Sequence, residues 1–278
     1  MGGNRDAGSI VKGRIASLGA ALVVLFGISS CLEVDQVITL KRDGSGTITE
    51  ETLIGKGLQT FLKDIPGDLA DHPLAGLYQE EKYEKLAVNY GAGVKFLKME
   101  RIARAGGEGV RVTYHFADIN QVVFAPGSTL DELKMNKEKK GLREEPLCFE
   151  YAAGVLTVKV PDFSASGTEN GKESEEKESP VDLPALEKVM MQMFKGMKIS
   201  SRLIVDPGIQ ESDATYREGK MITFLNFDFD KIMENPKGIQ ALDKLDGSTR
   251  AELKAALEGV KGAVVETKEW IQVKVASD

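Results

Sequence analysis

Three features of the sequence predict an α+β protein with a largely antiparallel sheet built from hairpins and helices packed on it. Short runs alternate apolar and polar residues at period two, and tight turns join most of these runs in pairs. Between them stand segments whose apolar residues recur at spacings of three and four, the helical period. The chain reads ββααββββ before a low-complexity stretch and αββααβ after it. One α+β unit over residues 31–278, carrying a disordered insertion at about 162–181, is the expected organisation, because the second half has few strands with which to close a sheet alone. The alternative is two lobes, 31–161 and 182–278.

Val34, Gln36, Ile38 and Leu40 alternate with Asp35, Thr39 and Lys41, which predicts a half-buried first strand. Asp43-Gly44-Ser45-Gly46 turns the chain, and Thr47 to Ile54 returns with Ile48 and Ile54 on one side. Asp43 belongs to turn chemistry, since an EF-hand loop needs further oxygen ligands and a terminal Glu at set positions. From Lys56, Leu58, Phe61, Leu62 and Ile65 share a helical face until Pro66 interrupts it. A second helix is expected over 77–90, with Tyr83, Leu86, Ala87 and Tyr90 on one face and Gly91 and Gly93 as its stop. Next comes a long hairpin, 94–103 and 110–116. Val110, Val112, Tyr114 and Phe116 share one face of its second strand, which leaves Arg111, Thr113 and His115 on the other. His115 is therefore a polar-face residue, and neither His72 nor any cysteine is spaced to join it around a metal. A turn at 117–120, a strand at 121–124 and a charged loop over 128–145 lead to a hairpin of 147–151 and 155–160, turning at Ala152-Ala153-Gly154. Cys148, in an apolar strand-like setting, is expected to be a buried, inert thiol.

Ser164 to Ser179 reads SASGTENGKESEEKES, without an aromatic or branched aliphatic residue, so it cannot bury enough apolar area to offset its ordering entropy. A helix over 183–197 follows, in which Leu183, Leu186, Met190, Met193 and Met197 form a stripe widened by Val189 and Phe194. Core packing is the expected use of this stripe. Methionine also adapts to irregular partners, so Met190, Met193 and Met197 are the candidate apolar contact surface. Strands are expected at 198–205 and 221–227, with a turn at Pro207-Gly208. Asn226, Asp228 and Asp230 could present three oxygens to a cation, but calcium needs more than this segment provides, and capping of a helical turn at 231–234 by Asp230 is the preferred reading. Asn235-Pro236 starts a helix with Ile239, Leu242 and Leu245 inward and Gly247 at its end. Thr249 and Glu252 form a capping box for a last helix through Leu253, Leu257 and Val260. The chain closes on a strand over 264–275.

The N-terminal segment sets the expected address. Arg5, Lys12 and Arg14 precede an apolar run from Leu18 to Ile28, and Ser29, Ser30 and Cys31 follow. This basic, apolar, small-residue order is a secretory signal, and its run is shorter than the roughly 20 residues of a spanning helix. Ile28-Ser29-Ser30-Cys31 resembles the lipobox of bacterial lipoproteins. That resemblance implies cleavage before Cys31 and lipid on its sulfur, with 1–30 as the signal peptide, and Leu32 in the following position implies outer-membrane sorting in a two-membrane cell. Cys31, the adjacent strand with its Asp43-Gly44-Ser45-Gly46 turn, the later paired strands and the final helix-to-strand element resemble LppM-like bacterial lipoproteins. This implies an envelope protein with an α+β body that contacts lipids or surface partners, and it implies no reaction.

The whole chain carries a net charge of −7. The first 30 residues hold Arg5, Lys12, Arg14 and Asp6, so their removal leaves −9. An acidic export product is a poor partner for nucleic acid, whose affinity rests on phosphate neutralisation. The expected function is a non-enzymatic, lipid-anchored envelope protein that meets the membrane through Cys31 and binds an envelope protein or lipid. The alternative is a carrier of a lipid or other apolar ligand that uses the Met-rich helix as one wall. A hydrolase ranks last, because no Gly-x-Ser-x-Gly elbow, zinc motif or phosphate loop occurs. No catalytic residue, cofactor or metal is assigned.

Overall fold

The computed structural model describes residues 32–59, 76–126, 146–162, 194–243 and 248–277. The expectations for Cys31, His72, the loop at 128–145, the segment at 164–179, Met190, Met193 and Leu245 lie outside these residues, as do the side chains of Ile239 and Leu242.

The described part is mostly sheet, with helices a minor component. β1 (Leu32–Leu40) and β2 (Gly46–Gly55) form the expected hairpin, Ile38 opposite Ile48 and Leu32 opposite Ile54. Asp43 closes its turn, accepting from the Ser45 backbone N–H at 3.0 Å and hydroxyl at 2.7 Å. The expected helix at 77–90 is broken into a 3-10 turn at Gly76–Tyr78, α1 (Glu80–Leu86) and a second 3-10 turn at Ala87–Tyr90. Most of its face holds all the same: Tyr83, Ala87 and Tyr90 are buried, while Leu86 is half-buried against the same core. β3 (Lys95–Arg104) and β4 (Gly107–Phe116) give the long hairpin, and Val110, Val112, Tyr114 and Phe116 point inward as predicted.

A second, five-stranded sheet contains β5 (Val123–Phe124), β6 (Leu147–Ala152), β7 (Val155–Lys159), β9 (Ile209–Ser212) and β13 (Trp270–Val275), in the order β5-β6-β7-β13-β9. Ala153 and Gly154, with φ of 51° and 78°, turn β6 into β7 as a left-handed pair suited to a two-residue hairpin. Cys148 corrects its expectation. Leu147 and Phe149 take the inward positions of β6, so period-two alternation turns the thiol between them outward and exposed.

The first sheet is completed by β8 (Lys198–Val205), β10 (Arg217–Glu218), β11 (Met221–Asp228) and β12 (Ala263–Val265), in the order β10-β11-β8-β1-β2-β4-β3 with β12 also on β11. β1 pairs with β8 in parallel, from Glu33 opposite Lys198 to Leu40 opposite Val205. This long-range parallel pairing, like the short strands β9 and β10, was not expected from hairpin spacing. Both sheets draw strands from either side of the low-complexity stretch.

The expected last strand over 264–275 is two strands in different sheets. β12 ends at Val265, and Glu266, fully buried, makes the crossing by accepting from the Thr215 N–H and hydroxyl, both at 2.7 Å, and from the Lys268 N–H at 3.1 Å. A buried carboxylate is tolerated only when its oxygens are satisfied in this way.

α2 (Phe229–Met233), α3 (Pro236–Asp243) and α4 (Arg250–Leu257) pack on the part of the large sheet that β11 and the start of β8 supply. The Thr249/Glu252 capping box forms as predicted. Two apolar cores result. Ile38, Leu40, Ile48, Leu203, Val205 and Phe224 meet the second sheet through Leu156, Val158, Ile271 and Val273, while Ile199, Leu225 and Phe227 meet Ile232, Leu253 and Leu257. Each fully buried side chain of this size contributes about 1.5–3 kcal/mol. Between the cores runs a buried polar row in register, Glu50, Gln36 and Ser201, in which Gln36 Nε2 donates to Glu50 Oε1 at 2.5 Å.

Candidate functional site

Alternation along β1, β8 and β11 sends every second side chain to the outer face of the large sheet. There Glu33 and Asp35 of β1, Lys198, Ser200 and Arg202 of β8, and Thr223 and Asn226 of β11 line a pocket of about 570 Å³. Thr215 to Glu218 form one rim, with Met221 and Val264 as apolar wall. The volume falls within the range of about 300–1,000 Å³ common to small-ligand sites.

The floor is a charge network. Arg202 Nη2 donates to Asp35 Oδ1 at 2.6 Å and Oδ2 at 2.5 Å, and the Ser200 hydroxyl donates to Asp35 Oδ1. Arg202 Nε is buried without a hydrogen-bond partner. Outside the pocket, Glu51 accepts from Arg104 and from Arg111 Nε at 2.6 Å, and Arg104 also reaches Glu33 at 3.5 Å. The rim is held by the sheet crossing, because Glu266 fastens Thr215 while Lys268 bonds the Asp213 carbonyl. Burial, followed by the charge of Glu266, raises the Tyr216 hydroxyl above its usual pKa.

The three oxygen residues weighed for a cation separate. Asn226 lines the pocket, in register with Ser200. Asp228 is paired with Lys231 at 3.0 Å and Lys198 at 3.8 Å. Burial alone would push the Asp228 carboxyl up, but the Lys231 hydrogen bond and the charges of Lys198 and Lys231 outweigh it and hold the group below the usual carboxylate range. Asp230 Oδ1 accepts from the Gly196 N–H at 2.7 Å. Asp228, not Asp230, takes the N-cap position, since α2 begins at Phe229, and the Asp228 side chain makes no cap bond. Gly262, at φ +89°, passes so close to α2 that a Cβ would stand 2.6 Å from Lys231 Cβ, which fixes this corner.

Met197 is half-buried against the helix-covered core, but it lies beyond the end of its expected helix: Phe194 is the last helical residue, 195–196 form a turn with Gly196 at φ 73°, and the rest of the stripe lies outside the described residues. His115 lies on the polar outer face, between Thr47 and Lys95 in register. Glu33, Lys198 and Arg202 were missed as site residues. Their only sequence signal is the outward phase of two strands far apart in the chain, and nothing in the sequence says that those strands are neighbours.

No family model matches the chain, and no curated protein does. Among solved structures it is similar to the folded domain of LppM from Mycobacterium tuberculosis, an NMR structure, with a TM-score of 0.30 and 11% identity over 72% of this chain and 84% of that one. A likeness of this size transfers no residue role. No helix among the described residues is long and apolar enough to cross a membrane.

Proposed function

We propose that this chain is an exported protein held on the bacterial envelope by lipid on Cys31, and that it works as a binding module without a reaction of its own. The observation that carries the reading is Ile28-Ser29-Ser30-Cys31 behind the apolar run, followed at once by Leu32, the first residue of β1. Each buried methylene of an acyl chain contributes about 0.8 kcal/mol, so several chains together hold a protein on a bilayer almost indefinitely. Binding rather than catalysis is supported by the pocket chemistry. Asp35 is committed to Arg202 and Ser200, while Thr223 and Asn226 offer polar groups to an occupant. The finer reading is outer-membrane placement, with Leu32 as its signal.

The test is Cys31→Ser followed by cell fractionation. The variant is expected to leave the membrane fraction or to accumulate as uncut precursor. Membrane association that persists unchanged and still requires detergent for release overturns the lipid anchor.

A further inference from the structure

Glu33 and Lys198 stand opposite each other in register on adjacent parallel strands, and both line the outer pocket. Opposite charges placed so are expected to pair. Here they do not. Glu33 turns away to Arg104 at 3.5 Å, and Lys198 turns to Asp228 at 3.8 Å, where Asp228 already holds Lys231 at 3.0 Å. Both contacts are long; the Glu33–Arg104 pair is partly solvent-exposed and so weak, and buried Asp228 keeps Lys231 when Lys198 leaves it, so either pocket residue can be recruited. The pocket is thus flanked by an anion and a cation carried on neighbouring strands, whose side chains lean to opposite sides of it. Thr223 and Asn226 sit on the Lys198 side, on the strand beyond β8.

We infer that this pocket binds a zwitterion joining a primary ammonium to a phosphate, in the form of an ethanolamine-phosphate lipid headgroup. Glu33 takes the ammonium; Lys198, supported by the Asn226 amide, takes the phosphate. The choice of a lipid source rests on the anchoring reading above: Glu33 is two residues beyond Cys31 in sequence, at most about 7 Å of chain, which keeps the pocket mouth near headgroup depth. A primary ammonium is selected over choline because it donates hydrogen bonds to Glu33, whereas a trimethylammonium has none to give.

The mature chain is reconstituted in nanodiscs of equal phosphatidylethanolamine and phosphatidylcholine, and the lipids released with it are counted by native mass spectrometry. Ethanolamine lipid is expected to exceed choline lipid about fivefold, the upper range for one exposed ion pair. Glu33→Gln should bring that ratio near one while total adducts persist, and Lys198→Ala should reduce both lipids together. Equal adducts in the parent, or a preference unmoved by Glu33→Gln, overturns the site. A second arm follows the thermal midpoint of the full chain in detergent with soluble phosphoethanolamine or phosphocholine. A shift confined to soluble phosphoethanolamine, with no lipid preference in nanodiscs, overturns the headgroup source. Loss of the anchor shows in the Cys31→Ser fractionation and leaves these ratios readable on unlipidated chain mixed with the same lipids, so the two failures are distinguishable.

Discussion

Inward, β1 sets Val34, Gln36, Ile38 and Leu40 at no more than 1% exposure; outward, the same nine residues set Glu33, Asp35, Val37 and Thr39 half-exposed. The inner row is fixed by what covers it, the second sheet over Ile38 and Leu40 and the helix-covered core beginning one strand away at Ile199. The outer row keeps its contact with water and holds the pocket. Stability and chemistry are therefore divided across one pleated surface, and a substitution's effect should follow the face it touches more than its position along the chain.

The largest effect should come from the inner face. Phe224→Ala removes a fully buried ring and should destabilise by about 3–5 kcal/mol in urea unfolding. A loss below about 1 kcal/mol would mean that the inner face is not packed as described. Glu266→Ala, at the crossing between sheets, removes the charged acceptor of the Thr215 and Lys268 N–H groups. It should cost about 2–3 kcal/mol and loosen the pocket rim, seen as faster amide exchange at Thr215 and Tyr216. Thr249→Ala removes the capping box of α4 and should cost about 1 kcal/mol. On the outer face, Asp35→Asn breaks a partly exposed pair with Arg202 and should cost no more than about 1 kcal/mol, while altering the pocket's charge. An outer-face loss as large as that of Phe224→Ala would erase the distinction between the faces.

The smallest expected effect is a change of slope with pH. The Asp228 carboxyl is held below its ordinary value of 3.8, so its contribution is present above that value and is lost as pH falls through the lower folded-state value. Asp228→Asn should flatten this part of the acid limb, followed by thermal unfolding from about pH 5 to pH 2. An acid limb that is unchanged would show that the Lys198 and Lys231 contacts do not stabilise the charged form.

Much of this architecture was legible in local pattern. The hairpins of β1 with β2, β3 with β4 and β6 with β7, the inward phase of Val110 to Phe116, and the Thr249/Glu252 cap depend on neighbours a few residues away, where period and turn chemistry decide the outcome. The same local reading misplaced Cys148, because the short apolar run from Pro146 to Phe149 does not state which alternate positions face inward. It also fused β12 with β13, because strand propensity runs through 264–275 while the break at Glu266 depends on Thr215, 51 residues away in sequence.

By itself, the sequence determined the local hairpins, most of the strands, and the basic, apolar and small-residue order of the segment that ends in Cys31. Only the tertiary structure decided that β8 lies parallel beside β1, and with it the meeting of Glu33, Asp35, Lys198 and Arg202. The reason is physical. Turn and period are set by interactions within a few residues, whereas the β1–β8 pairing spans roughly 165 residues and is selected by the joint burial of Ile38, Leu40, Leu203 and Val205, which no local pattern encodes.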